Sequence, residues 1–234
     1  MNNASILIKV KQRLNKLDSK DYDNLECWQI VEAYNKAQVE WCRRQLVGTN
    51  ILKQGDEQSK RRVDDLQILL KTIPVPTTTQ PLYEETNILP DDYLAFKRLE
   101  LYATNECCDE PRLMTVYLGE EDNAVNYLQD SNKKPSFEWG ETFITLIGGK
   151  VRIYTGGDFD VKSAKLIYFK RPIDIKILGC VDLDTQLPST VDIESDLKDD
   201  IIEVVIDDTV SILSGDIESF NQYSRGSQSA EKNN

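Results

Sequence analysis

The residues able to do chemistry in this chain are chiefly carboxylates: Asp and Glu number 40 against 28 Lys and Arg, a net charge of −12. They gather as Glu120-Glu121-Asp122, Asp199-Asp200 and Asp207-Asp208. The last two pairs lie one to two turns apart on a helical stretch, where oxygen ligands can in principle hold a hard cation. No spacing requires a second segment to converge on them, so exposed helix charge is the stronger reading. Histidine is absent. That removes the commonest general base and a common metal ligand, and with them Ser-His-Asp and Cys-His chemistry within this chain.

The five cysteines have no regular spacing and offer neither a four-thiolate zinc site nor a disulfide framework. Cys27 and Cys42 fall in helical pattern and Cys180 in strand pattern, as buried thiols commonly do. Cys107-Cys108 read as a loop in a reducing compartment. Gly148-Gly149-Lys150 has the end of a phosphate loop, but Ile144 stands where its first glycine belongs and Val151 replaces the Ser/Thr that would touch magnesium. Thr155-Gly156-Gly157-Asp158 reads as a turn rather than an anion site. Asn3-Ala4-Ser5 matches a glycosylation acceptor only by spacing. The expectation is a chain with no catalytic residues, no metal ligands and no cofactor.

The elements that position these residues are predicted from periodicity. Ile6, Val10, Leu14 and Leu17 predict a helix over 4–18. Asp23 as cap and Glu26 reaching back open a second, with Trp28, Val31, Tyr34, Gln38, Trp41 and Leu46 along its stripe. Trp28 and Trp41 read as core or interface. Asp56 caps a third, faced by Val63, Leu66, Leu69 and Leu70. Basic spots at Arg43-Arg44 and Lys60-Arg61-Arg62 read as solvated faces or protein contacts, and the negative total disfavours nucleic acid.

Residues 1–71 are thus a helical hairpin or bundle. Residues 72–92, with Pro74, Pro76 and Pro81 around three threonines, predict an extended connector. Residues 93–185 predict a small antiparallel sandwich or open barrel. Its sharpest signal is Phe143–Ile147, Gly148-Gly149, Lys150–Tyr154, a tight hairpin. Ala164–Phe169 and the alternating Ile173, Ile175 and Ile177 predict further strands. Residues 186–215 carry a terminal helix, expected to pack on the helical part, with two apolar stripes: Leu197, Ile201, Val204 and Val205, and beside them Ile202, Ile206, Val210 and Leu213. So broad an apolar surface needs cover from its own subunit or from a neighbour. A polar tail, 216–234, reads as disordered or ordered only on assembly. The fold class is α+β. No apolar run is long enough for a membrane span, and no signal peptide is recognisable, which predicts a soluble, cytosolic product.

Three segments carry a family resemblance: Leu89-Pro90-Asp91-Asp92-Tyr93-Leu94, Tyr154-Thr155-Gly156-Gly157-Asp158-Phe159 and Ile167-Tyr168-Phe169-Lys170-Arg171-Pro172. The terminal helix follows with Asp199, Asp200, Ile201, Ile202 and Val205. Together these resemble the ring proteins of the head–tail connector in crAss-like phages, and the layout is similar to adaptor or gatekeeper proteins of short-tailed phages. The resemblance implies a structural virion protein assembled in the host cytoplasm. It implies a dodecameric ring of this chain between portal and tail, with portal and other connector or tail proteins as partners. DNA would pass through the ring without sequence-specific binding. Two other readings stand beside it: a monomeric intracellular adaptor, and a metal-dependent hydrolase using Asp158, Asp199 or Asp208.

Overall fold

The computed structural model describes residues 1–14, 25–48, 60–106, 108–183, 185–216 and Gln228. Asp23, Asp56, Cys107 and nearly all of the tail lie outside these. The chain forms two units. The first comprises residues up to Leu69 and those from Pro172 onward; the second, Leu70–Arg171, is inserted between them in sequence. The class is α+β.

The helical unit holds α1 (Asn3–Leu14), α2 (Cys27–Val47) and α3 (Lys60–Leu66). α2 opens not at Asp23 but with Glu26 as N-cap, its side chain and that of Gln29 forming a reciprocal capping box. It stops at Gly48, whose φ of 75° suits a residue without Cβ. α3 tightens into a turn of 3-10 helix over Gln67–Leu69, burying Leu66 and Leu69 while Val63 remains exposed.

The second unit holds β1 (Leu70–Pro74), β2 (Thr77–Thr79), β3 (Tyr83–Thr86), β4 (Tyr93–Asn105) and β5 (Cys108–Leu118). The short α4 (Ala124–Gln129) precedes β6 (Glu141–Ile147), β7 (Lys150–Tyr154) and β8 (Asp160–Lys170). They form one sheet ordered β1-β8-β4-β5-β6-β7-β3-β2. The expected connector over 72–92 is therefore largely strand. Its prolines do keep it extended, but as edge strands, where a missing N–H costs least.

Connectivity forces this sheet to curl. Its outermost strands, β1 and β2, are separated only by Val75 and Pro76, a reach of about 11 Å at most. Eight flat strands would hold their edges about 34 Å apart. The sheet accordingly bends into a half-barrel. Its concave face carries the core: Leu99, Leu101, Ala103, Met114, Ile144, Val151, Ile153, Leu166 and Tyr168. The pairing is mixed rather than all antiparallel, because β5 runs parallel to β6. Parallel neighbours need a crossover, which here carries α4. Tyr127 and Leu128 of α4 pack on a second small cluster with Phe143 and Tyr154. The Gly-Gly hairpin is as expected: Ile147 pairs with Lys150, and Gly148 and Gly149 have φ of 57° and 73°.

After Pro172 the chain returns to the helical unit. Ile173, Ile175 and Ile177 do not form a strand. Helix α2 supplies the hydrogen bonds a partner strand would have given: Asn35 Nδ2 donates to the Ile175 carbonyl at 3.3 Å and its Oδ1 accepts from Ile175 N–H at 2.8 Å. Gln38 Nε2 donates to the Ile173 carbonyl at 2.9 Å. The expected β domain thus ends at Arg171 rather than at 185. A two-stranded hairpin of β9 (Val181–Asp182) and β10 (Leu187–Pro188) follows, and then α5 (Asp199–Asp216).

α5 packs on both α1 and α2. Its acidic residues are matched to basic ones opposite: Glu203 to Lys9 and Arg13, Asp207 to Arg13, and Asp208 to Arg44. Asp207 and Asp208 are therefore paired rather than plain exposed charge, whereas Asp199 and Asp200 in the first turn are exposed, as expected. Burial pushes the Asp208 carboxyl up from 3.8 to about 6, with Asp207 and Glu40 adding repulsion and Arg44 opposing. A carboxyl raised by folding binds its proton more tightly in the folded chain. Its stabilising contribution is full below pH about 4 and is lost as pH rises through about 6, a ceiling of about 3 kcal/mol. Asp208→Asn is expected to remove this pH dependence and to leave the protein at least as stable as the parent at pH 7.5. Denaturant titrations at pH 5 and 7.5 measure it, and a loss of several kcal/mol at pH 7.5 would show that the Arg44 pair outweighs the burial cost.

Candidate assembly surface

In the helical unit the segment that follows the return of the chain, residues 173–193, forms an arm. Its base is fixed by polar side chains from two helices. Besides Asn35 and Gln38, the buried Asn3 donates from Nδ2 to the carbonyls of Lys176 (3.1 Å) and Ile193 (3.0 Å) and to Asp192 Oδ1 (2.7 Å). A side chain so enclosed is no glycosylation acceptor. Lys176 and Ile193 close the base through an isolated antiparallel bridge, and Lys176 pairs with Asp182.

Beyond the base the arm is apolar and uncovered. Leu178 and Leu187 are each 65% exposed, and Val181, Leu183 and Val191 are exposed beside them. A lone exposed leucine is ordinary, but five large apolar side chains within fourteen residues, from Leu178 to Val191, are not. The arm is also joined covalently to α2 by a disulfide between Cys27 and Cys180, with Cα atoms 5.7 Å apart. This corrects the expectation that the cysteines make no bridge. Cys42 is free and buried; burial first and Asp196 second push its thiol up to about 12, so at neutral pH it is an inert core residue.

The predicted packing residues are placed unambiguously. Leu197, Ile201, Ile202, Val205, Ile206 and Leu213 are all buried, as is Trp41. Helices of the same unit therefore cover both stripes of α5, and none of these residues remains for a neighbour. Polar groups on this surface are satisfied within the helix: Thr209 and Ser214 hydroxyls donate to the Val205 and Val210 carbonyls, four residues back, at 2.7 and 2.6 Å. Trp28 is half-buried and donates its indole N–H to Glu26.

The three segments that carry the family resemblance act as joints. In the half-barrel Asp92 Oδ1 accepts from the Tyr168 hydroxyl at 2.7 Å, Asp92 Oδ2 from Lys71 at 2.6 Å, and its carbonyl from Arg171 N–H at 2.7 Å. Burial raises the Asp92 carboxyl, but the bonds from Lys71 and Tyr168 hold it below its ordinary value overall. Gly156 and Gly157 take positive φ, and Asp158 Oδ2 accepts the Phe137 N–H at 2.7 Å. Arg112 holds the same loop through the carbonyls of Phe137 and Glu138, displaying Trp139 at 78% exposure. An open groove beside it is lined by Asn105, Arg112, Trp139, Gly157 and Asp158.

Glu121 forms a separate junction, accepting from Thr145, Arg152 and Tyr154. Burial raises its carboxyl, yet these bonds hold it below the ordinary range. Of the carboxylates considered for hydrolysis, Asp158 accepts from a backbone amide, Asp208 pairs with Arg44, and Asp199 is largely exposed; the three are not brought together as one group. Among the described residues no three Cys, Asp or Glu side chains gather as metal ligands do. No helix among them is long and apolar enough to cross a membrane.

Comparison with models of known protein families and with curated proteins gives no match.

Sequence reasoning missed the arm. Leu178, Val181, Leu183, Leu187 and Val191 are too sparsely placed to show either helical or strand period. The Cys27–Cys180 bridge spans 153 positions, a separation that carries no spacing signal. The exposed Trp139 also went unremarked, since no periodicity distinguishes a displayed aromatic from a buried one.

Proposed function

We propose that this chain is a non-enzymatic structural subunit that assembles with copies of itself into a ring of a virion head–tail connector, through which DNA passes. The arm is the observation that supports this reading most. Copies carrying a net charge of −12 repel one another over most of their surface. Between 177 and 191 the only charges are Asp182 and Asp184, and Asp182 is paired with Lys176. An apolar, nearly neutral hairpin is where like-charged copies can meet at least electrostatic cost. An arm that enters a neighbour at a different patch makes a heterologous contact, the kind that closes into rings.

Leu183→Asp combined with Leu187→Asp tests this. Both side chains are exposed, so folding is expected to be retained, with helical circular dichroism and melting as in the parent. Ring assembly on portal protein is expected to be lost, at least tenfold in apparent affinity for the loss of two anchors. Rings formed by the double variant at parental concentration would remove the arm from the interface.

A further inference from the structure

We infer that the Cys27–Cys180 disulfide is a redox-controlled clamp on the apolar arm, fixing it against α2 when oxidised and freeing its outer part when reduced. The inference rests on the arm being an assembly surface only for its consequence. The clamp itself stands on where the bridge lies. Hydrogen bonds from Asn3, Asn35 and Gln38 hold the arm at Ile173, Ile175, Lys176 and Ile193. Within the arm, Gly179 N–H donates to the Ser189 carbonyl at 2.9 Å and Ser189 N–H to the Cys180 carbonyl at 2.7 Å. These bonds keep the hairpin together without tying it to the helices. Lys176 draws Asp182 of β9 toward the base and α2 lies against β9, but the bridge is the covalent tie, four residues beyond Lys176 and beside β9. Reduction therefore leaves the base in place and turns residues 177–191 into a hairpin pivoting on it.

The chemistry of opening is also provided. Cys27 is the first residue of α2 and is half-buried, so the bond is not sealed in the core. A dithiol reductant attacks the half-buried Cys27 sulfur and expels the Cys180 thiolate, which takes up a proton. Its second thiol then displaces Cys27, so the reductant ends as a disulfide and the protein as two thiols. Reoxidation runs the exchange backwards with a small-molecule disulfide as acceptor. In a reducing host cytoplasm the arm would be free to find a neighbour, and in the oxidising medium outside it would be fixed.

Hydrogen exchange on the full chain, oxidised and then treated with dithiothreitol, reads the clamp directly. Amides over 177–191 are expected to exchange about tenfold faster or more after reduction, with those of α5 unchanged. Cys180→Ser is expected to behave as the reduced protein without added reductant. Equal exchange in the two forms would overturn the clamp. So would faster exchange throughout the helical unit, which would make the bridge a global staple instead. Sizing both forms with portal protein separates the two ideas: a protein that never assembles while its arm loosens on reduction keeps the clamp and ends the ring reading.

Discussion

Val205→Asp is expected to unfold the helical unit. Val205 is fully buried on α5, with α1 and α2 covering that helix. A carboxylate there has no cation provided for it, unlike Asp208 with Arg44. Loss of the valine's burial and the cost of desolvating a charge together reach about 5 kcal/mol. That is comparable with the whole stability of an ordinary domain. Trp41, 4% exposed, reports the outcome: its emission should shift to that of solvated indole, accompanied by loss of helical circular dichroism. Native emission with melting close to the parent would mean that α5 is not packed as described. The sequence alone left open whether such a variant fails at folding or at assembly. The covered stripes make it a folding defect.

Leu166→Asp should do the same to the half-barrel. Leu166 lies fully buried in β8, opposite Ile73 of β1 on one side and Leu99 of β4 on the other. A charge there strikes the strand that joins the edge to the centre of the sheet. The expected cost is again about 5 kcal/mol. Hydrogen exchange over β4 and β8 should lose its protection. Trp41 sits in the other unit's core, and its emission is expected to stay native. Unfolding of both units at once by this substitution would show that the two cores are not separate.

Several features were legible in the sequence because they depend on local chemistry. Ile6, Val10 and Leu14, and likewise Leu197, Ile201 and Val205, repeat at helical steps, and the helices exist. Gly148-Gly149 needed positive φ and has it. Other features depend on distant partners and were not legible. The prolines at 74 and 76 said "extended" but could not say that β1 and β2 are opposite edges of one curled sheet. The alternation at Ile173, Ile175 and Ile177 fits a strand, but Asn35 and Gln38, more than a hundred positions earlier, take its hydrogen bonds. The same limit applied to the surface. The stripes of α5 asked for cover from the same subunit or from a neighbour, and the helices of the same unit supply it, whereas the exposed arm had no periodic signal.

Whether the chain assembles into a ring is read by light-scattering mass measurement of the purified protein, alone and with portal protein present. The expected result is a closed assembly of many copies, formed at the latest on the portal. A species of one chain's mass, 26.8 kDa, under both conditions would contradict it.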